Sequence, residues 1–205
     1  MRTLTITTFL TLDGVLQSPG APEEDASGGF EHGGWLVPFF DEDMGRIVDE
    51  WFTDADAFLF GRRTYELMAS HWPNVPDDDA VSTKLNNLPK YVVSTTLTPG
   101  ELTWKHSTVI DDDIVGAVER LKADGTGELQ VHGSGMLAAT LLRHGLVDEL
   151  RLFTFPVAVG AGKRLFPDDA AVSMRLLDAT TTASGVVAAR YQPNGRPEHG
   201  TVAGA

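Results

Sequence analysis

The feature that most constrains this chain is a repeated switch of hydrophobic period. Short alternating or apolar runs over Thr3 to Phe9, Ala57 to Phe60, Tyr91 to Ser94 and Glu128 to His132 each end at a polar or glycine-bearing turn, and helical spacing returns directly after the second and the fourth. Strands that alternate with helices build a mainly parallel sheet, because a parallel neighbour is reached through a crossover. Ligands of such sheets bind at the carboxyl ends of the strands. The residues just after each apolar run are therefore the first candidates for function.

The remaining elements fit the same plan. Asp41 to Thr53 places Met44, Ile47, Val48, Trp51 and Phe52 on one helical face, with carboxylates early, where the helix dipole favours them. Arg62 to Ser70 is helical, Val81 to Leu88 holds a helical turn, and Lys105 to Ile110 is a further strand. Asp111-Asp112-Asp113 opens a helix whose buried stripe is Ile114, Val118 and Leu121; successive carboxylates there splay apart and suit capping better than a metal. Met136 to His144 is an apolar helix stopped by Gly145. Val147 to Val157 is a long strand or a pair, and Met174 to Thr181 with Val186 to Tyr191 form a terminal pair joined near Ser184-Gly185. The expected class is α/β, a central mixed, mainly parallel sheet with an antiparallel C-terminal edge, in one domain over residues 1–192. Residues 193–205 lack an apolar pattern and are expected to form a disordered tail. Gln17 to Gly34, rich in Gly, Pro, Ala, Asp and Glu, reads as a long loop, either a lid over a site or a disordered excursion.

Charge narrows the partners. Against 29 Asp and Glu the 205 residues carry only 16 Lys and Arg, a formal charge of −13, and that field repels nucleic acid and anionic membrane surfaces. Neither is expected as a partner, and any anion must be held by a local cluster of Arg, Lys and backbone N–H groups. The absence of Cys removes disulfides, thiolate nucleophiles and Cys-ligated metals. The N-terminus alternates polar and apolar residues, unlike a signal peptide, so cytoplasmic residence is expected. The six His show no two-His helical spacing, and no metal is expected; His132 reads as packed or phosphate-adjacent.

Two turns stand out. Gly133-Ser134-Gly135, followed by Met136 and Leu137, joins a strand to a helix, so free N–H groups and bare glycines would let a pyrophosphate approach, although the same turn also serves tight packing. It lacks the three-glycine dinucleotide fingerprint. Gly61-Arg62-Arg63-Thr64 repeats the logic with two guanidiniums and a hydroxyl, donors suited to a terminal or ribose phosphate; alternatively the arginines pair with Glu66 or Asp56. NADP, with its additional phosphate, gives such arginines a use. The two turns are expected at opposite ends of one NADPH site. Phe30, His32, Trp35, Phe39 and Phe40 in and after the loop offer aromatic surface for a flat ring, for packing or for a dimer contact.

Thr11-Leu12-Asp13-Gly14-Val15, Leu59 to Glu66, Lys90 to Leu97, Gly133 to Leu137, Gly145 to Leu150 and Pro156 to Gly162, in this order, resemble the dihydrofolate reductase fold, and specifically the reductase domain of bacterial riboflavin-biosynthesis deaminase-reductases, as a stand-alone member. The resemblance covers roughly residues 1–192 and implies a three-layer α/β/α domain that binds NADPH. It implies that Gly61, Arg62, Arg63 and Thr64, with Ser94 and Thr95, hold the adenosine phosphate side, and that Gly133, Ser134, Gly135, Met136 and Leu137 hold the pyrophosphate. Asp13 and Gly14 would lie near nicotinamide and substrate, with Pro156 to Gly162 bordering the cleft. Apart from the resemblance, Trp35 of the aromatic loop is a candidate for substrate contact. Asp13 is the candidate catalytic carboxylate, to protonate or orient a substrate, although an Asp-Gly turn also forms for local reasons. Folate enzymes of this fold use a carboxylate on the helix after the first loop; Asp41, Glu42 and Asp43 crowd that helix start without a register match. Relatives form homodimers through the C-terminal sheet, and the apolar Leu150 to Val159 run suits such an interface or ordinary burial. The expected function is NADPH-dependent reduction of a small heterocyclic or carbonyl-bearing substrate, riboflavin-precursor-like or pterin-like. The alternatives are a nucleotide-binding module without turnover and a protein that binds partners through its aromatic loop.

Overall fold

The computed structural model describes residues 1–166 and 171–202. Its elements in chain order are β1 (Thr3–Thr11), α1 (Glu42–Phe52), β2 (Ala55–Gly61), α2 (Arg62–His71), α3 (Ala80–Asn87), β3 (Lys90–Val93), β4 (Ser107–Ile110), α4 (Ile114–Ala123), β5 (Glu128–His132), α5 (Gly135–Arg143), β6 (Glu149–Phe155), β7 (Met174–Thr181) and β8 (Val187–Pro193). One eight-stranded sheet has the order β4-β3-β2-β5-β1-β6-β8-β7. The first six strands of that order run parallel, and β8 and β7 close the far edge antiparallel. The expected class is borne out.

Three layers follow from which side chains each strand turns outward. Leu4, Ile6, Leu59, Leu129 and Val131 pack against Val118 of α4 and Leu137, Ala138 and Leu141 of α5. On the other face Met44, Ile47 and Trp51 of α1 meet Phe153 and Phe155, while Phe52, Tyr65 of α2 and Leu85 of α3 meet Phe58, Phe60 and Val92. Each such side chain larger than alanine, once fully buried, contributes about 1.5–3 kcal/mol. Asp41 caps α1 by accepting the Met44 N–H at 2.9 Å, and Asp79 and Ser82 form a capping box on α3. Asp113 caps α4 from a left-handed conformation, in keeping with its expected place at a helix start.

One layer of the interior departs from the pattern of a parallel sheet, whose inner strands are normally apolar on both faces. Under α1, β1 presents Thr5 and Thr7, β5 presents Glu128, Gln130 and His132, and β6 presents Glu149 and Arg151. Arg151 donates to Glu149 Oε1 at 2.7 Å, to both oxygens of Glu128 at 3.0 and 2.5 Å, and to the Trp51 carbonyl at 2.8 Å. Arg190 closes the set on Glu149 at 2.8 and 3.0 Å.

Lys90 is a second buried charge. Its ammonium donates to the carbonyls of Leu85 and Leu88 at 2.7 and 2.8 Å, at the end of α3, and lies 4.6 Å from the Trp104 ring centre. Burial, with Lys105 nearby, pushes its pKa down to about 8. Because the folded value lies below the unfolded one, the unfolded chain binds the extra proton, and this residue's contribution makes stability rise with pH from about 8 to about 10.4. The urea midpoint of the wild type should gain on that of Lys90→Met between pH 7.5 and 9.5; parallel midpoints would refute it.

Three expectations change in detail. The 17–34 loop is neither open nor irregular in its bonding: Trp35 Nε1 donates to the Gln17 carbonyl at 2.8 Å, Gln17 Nε2 reaches the carbonyls of Asp25 and Ser27, and Gly34 and Leu36 N–H groups return to Ser18 and Pro19. The Leu150 to Val159 run supplies β6, an inner strand whose Leu150, Leu152, Phe153 and Phe155 are buried within the chain, so ordinary burial accounts for its strand portion. Pairing at the C-terminus continues past 192, with Ser173 bonded to Asn194 and Gly195. The last part of the expected tail, 203–205, lies outside the described residues. No helix among the described residues is long and apolar enough to cross a membrane.

Candidate functional site

The carboxyl ends of β3, β2, β5, β1 and β6 line one edge of the sheet. β5 stops at His132, level with Thr7, whereas β1 and β6 continue together to Thr11 and Phe155. The edge therefore has a step, with the 133–135 turn on its lower level and the end of β1 beside it as a wall.

Both glycine turns sit at this step, as neighbours. β2 pairs directly with β5, so the Gly61 N–H donates to Ser134 Oγ at 3.0 Å, and Thr64 Oγ1 is 3.9 Å from where a Cβ on Gly133 would lie. The two turns are thus neighbours and form adjoining walls of the step. Gly133 has φ +57°, a left-handed value that favours glycine, and Ser134 follows at φ 51°. Ser134 is the N-cap of α5 but makes no capping bond, since its hydroxyl is turned to Gly61. The first N–H groups of α5 are thus left for an anion. Gly135 also answers to packing: a Cβ there would come within 3.0 Å of the Leu16 side chain. Leu137 is buried, with its Cβ 3.9 Å from where a Cβ on Gly61 would lie, and the Met136 side chain is exposed.

The two arginines divide. Arg62 Nη1 donates to Thr96 Oγ1 at 2.8 Å and its Nε lies 3.5 Å from Glu66; Arg63 Nη1 lies 3.5 Å from Asp25 and from Ser27 Oγ. Pairing with Glu66 is therefore present for Arg62, while Asp56 is taken by Arg2 at 2.9 Å. Ser94 Oγ accepts the N–H groups of Thr96 and Leu97 at 3.2 and 3.0 Å and shapes the turn that presents exposed Thr95 and Thr96.

Asp13 stands at the β1 wall. Its carboxylate accepts the Thr11 hydroxyl at 2.6 Å and the N–H groups of Gly160 and Val159 at 2.8 and 3.2 Å, with Arg164 at 3.9 Å. Those donations, the Thr11 hydroxyl first, hold its pKa down at about 2. A carboxylate so held is an ionised acceptor at neutral pH, and it ties the 159–160 backbone to the end of β1. Gly14 at φ +80° turns the chain beside Arg164, and Pro156 is exposed at the end of β6. Trp35, expected near substrate, is buried and meets Phe155 edge-on at 5.3 Å, so it packs the loop onto the core. Asp41 and Asp43 accept the N–H groups of Ser184 and Ala183, fastening α1 to the β7–β8 hairpin. Two of the three carboxylates at that helix start are thus engaged with the hairpin.

His132 ends β5 just below the 133–135 turn, stacked on Phe52 at 4.7 Å. Gln130 Nε2 donates to the Trp51 carbonyl and to Glu128, so its Oε1 is the acceptor facing His132 Nε2 at 3.1 Å. The network thereby assigns the proton to Nε2. Burial, then Arg151, lowers the imidazole pKa to about 3. Among the described residues no group of three or more His, Asp and Glu is placed to hold a metal ion. Asp25, Ser27, Thr96, Lys163 and Arg164 join the site without having been singled out in the sequence; the one signal was a Lys-Arg pair after Gly160-Ala161-Gly162 in an acidic chain.

The model of the RibD C-terminal domain family matches residues 2–188. The chain belongs to that family. The RibD-type domain accounts for nearly all of it, as the resemblance implied. A similar protein of Bacillus subtilis strain 168, the uncharacterized protein YyaP, is 28% identical over 198 residues, 95% of this chain and 96% of that one. Among solved structures, a putative riboflavin biosynthesis protein from Shewanella sp. PV-4 superposes with a TM-score of 0.70 at 20% identity, covering 94% of this chain and 99% of that one. Dihydrofolate reductase from Enterococcus faecalis, complexed with NADP(H) and RAB-propyl, gives a TM-score of 0.58 at 14% identity over 94% of this chain and 96% of that one. These likenesses establish a dihydrofolate reductase-like fold.

Proposed function

We propose that this RibD-type domain is an NADPH-dependent reductase of a small heterocyclic or carbonyl-bearing compound, riboflavin-precursor-like or pterin-like. The observation that carries the reading is the junction of Gly61 with Ser134, which brings two helix N-termini together while leaving α5 without a side-chain cap. Donors of this kind fit a pyrophosphate, and Arg62 with Thr95 and Thr96 beside it fits a further phosphate. In this reading the first-turn N–H groups of α5 hold the pyrophosphate, and Thr64 lies alongside. When bound, the reduced nicotinamide supplies a hydride. Asp13 orients the 157–160 segment, and the proton that accompanies the hydride comes from water, since the Asp13 carboxyl is ionised.

Arg62→Ala should weaken NADPH about 10- to 100-fold, the worth of a charge-assisted hydrogen bond, and leave NADH nearly unchanged. Isothermal calorimetry with both nucleotides decides it, and an equal loss for both would count against the 2′-phosphate. A second reading, a nucleotide-binding module without turnover, is favoured by the engagement of Asp41 and Asp43 with the hairpin. NADPH binding without oxidation across heterocyclic and carbonyl substrates would support it. The proposal includes cytoplasmic residence and a homodimer. The edge strand β7, with Leu176 and Leu177 exposed, suits that contact; a monomer mass at sedimentation equilibrium would refute it.

A further inference from the structure

Asp25 sits between two cations that belong to different parts of the sheet edge. Its Oδ1 lies 3.5 Å from Arg63 Nη1, at the start of α2, and its Oδ2 accepts from Lys163 Nζ at 2.5 Å, in the segment after β6. The Lys163 ammonium also donates to Ser27 Oγ at 2.7 Å. Between the ends of β2 and β6 lie β5 and β1, so the loop carries one carboxylate across the mouth of the candidate cleft and fastens it on both sides. Gln17 prepares that reach: its amide donates to the carbonyls of Asp25 and Ser27 at 2.8 and 2.9 Å, and its Oε1 accepts the Lys163 N–H at 3.0 Å. Leu16, at the foot of the loop, lies on Gly135.

We propose that Asp25 is a specificity-determining counter-ion, which competes with the cofactor's phosphates for Arg63 and couples cofactor binding to release of the 17–34 loop. The competition rests on the NADPH reading; the latch itself does not. A guanidinium that gains a phosphate must share or surrender its carboxylate, and in a chain of net charge −13 few cations are spare. Arg63 and Lys163 are 68% and 44% exposed in their side chains, so each pair is weak, as suits a contact that has to open. Asp25 is nevertheless kept ionised: burial would raise its pKa, and donation from Lys163 and Ser27 more than offsets this.

Asp25→Asn removes the charge and keeps the shape. Hydrogen exchange of residues 17–34 without nucleotide, and calorimetry with NADPH, read the two halves of the proposal, with Lys163→Gln as a second variant that loosens the same latch. The expected results are faster loop exchange in both variants, NADPH binding about three- to tenfold tighter in Asp25→Asn, and faster loop exchange of the wild type on saturation with NADPH. Unchanged exchange in both variants overturns the latch whether or not any nucleotide binds. A loosened loop with unchanged or weaker NADPH affinity overturns the competition. Failure of the wild type to bind NADPH overturns the competition together with the cofactor reading, and the exchange data still judge the latch.

Discussion

Replacing Arg151 with alanine should destabilise this chain by about 3–5 kcal/mol, the usual cost of orphaning a buried charge. Arg151 is 5% exposed, and its guanidinium is what separates and satisfies Glu128 and Glu149 in the layer beneath α1. Glu149 would keep Arg190, but Glu128 would keep only the Gln130 amide. Against a total stability of about 5–15 kcal/mol the loss is severe, and at about 2–4 °C per kcal/mol for a domain of this size it corresponds to roughly 6–20 °C of Tm. Circular dichroism melting measures it. A fall below about 4 °C would show that water or neighbouring donors replace the guanidinium. Arg151→Met combined with Glu128→Gln should recover much of the loss, because the penalty lies in the unpaired charge.

Gly133→Val should reduce NADPH affinity about a hundredfold or more while the protein remains folded. A β-branched residue at φ +57° is strained by about 1–3 kcal/mol, and the turn escapes that strain by moving its N–H groups out of register with Thr64 and Gly61. Space is not the obstacle, since a Cβ at Gly133 would meet nothing closer than Thr64 at 3.9 Å. Calorimetry and melting on the same sample separate binding from folding. Affinity retained within threefold would mean that the 133–135 turn serves packing alone.

Much of the fold was legible because its signals are local. The strands at Ala57 to Phe60 and Glu128 to His132, and the α5 stop at Gly145, announce themselves through period and turn chemistry. Both glycine turns could be found for the same reason. Their adjacency could not, because it depends on β2 pairing with β5, a long-range choice that no segment carries. The polar layer left no local signal, because the burial of Thr5, Thr7, Gln130 and Arg151 depends on α1 covering them. Nor does any local signal mark Lys90 as buried. The loop's order comes from single bonds, Trp35 to Gln17 and Lys163 to Asp25, which leave no periodic trace. Arg62 and Arg63 looked interchangeable because adjacent helical residues differ in direction, and only neighbours show where each one points.

The imidazole of His132 bears on how this domain meets acid. With its pKa held near 3, it carries no charge anywhere in the range a cell visits, so the floor beneath the 133–135 turn is electrically silent where an ordinary histidine would switch on near pH 6.5. The unfolded chain does take up that proton, and its side of the balance gains as pH drops from about 6.5 towards 3. Acidification across that range is thus expected to leave the charge of His132 unchanged and to act through this residue on the stability of the fold, progressively as pH falls.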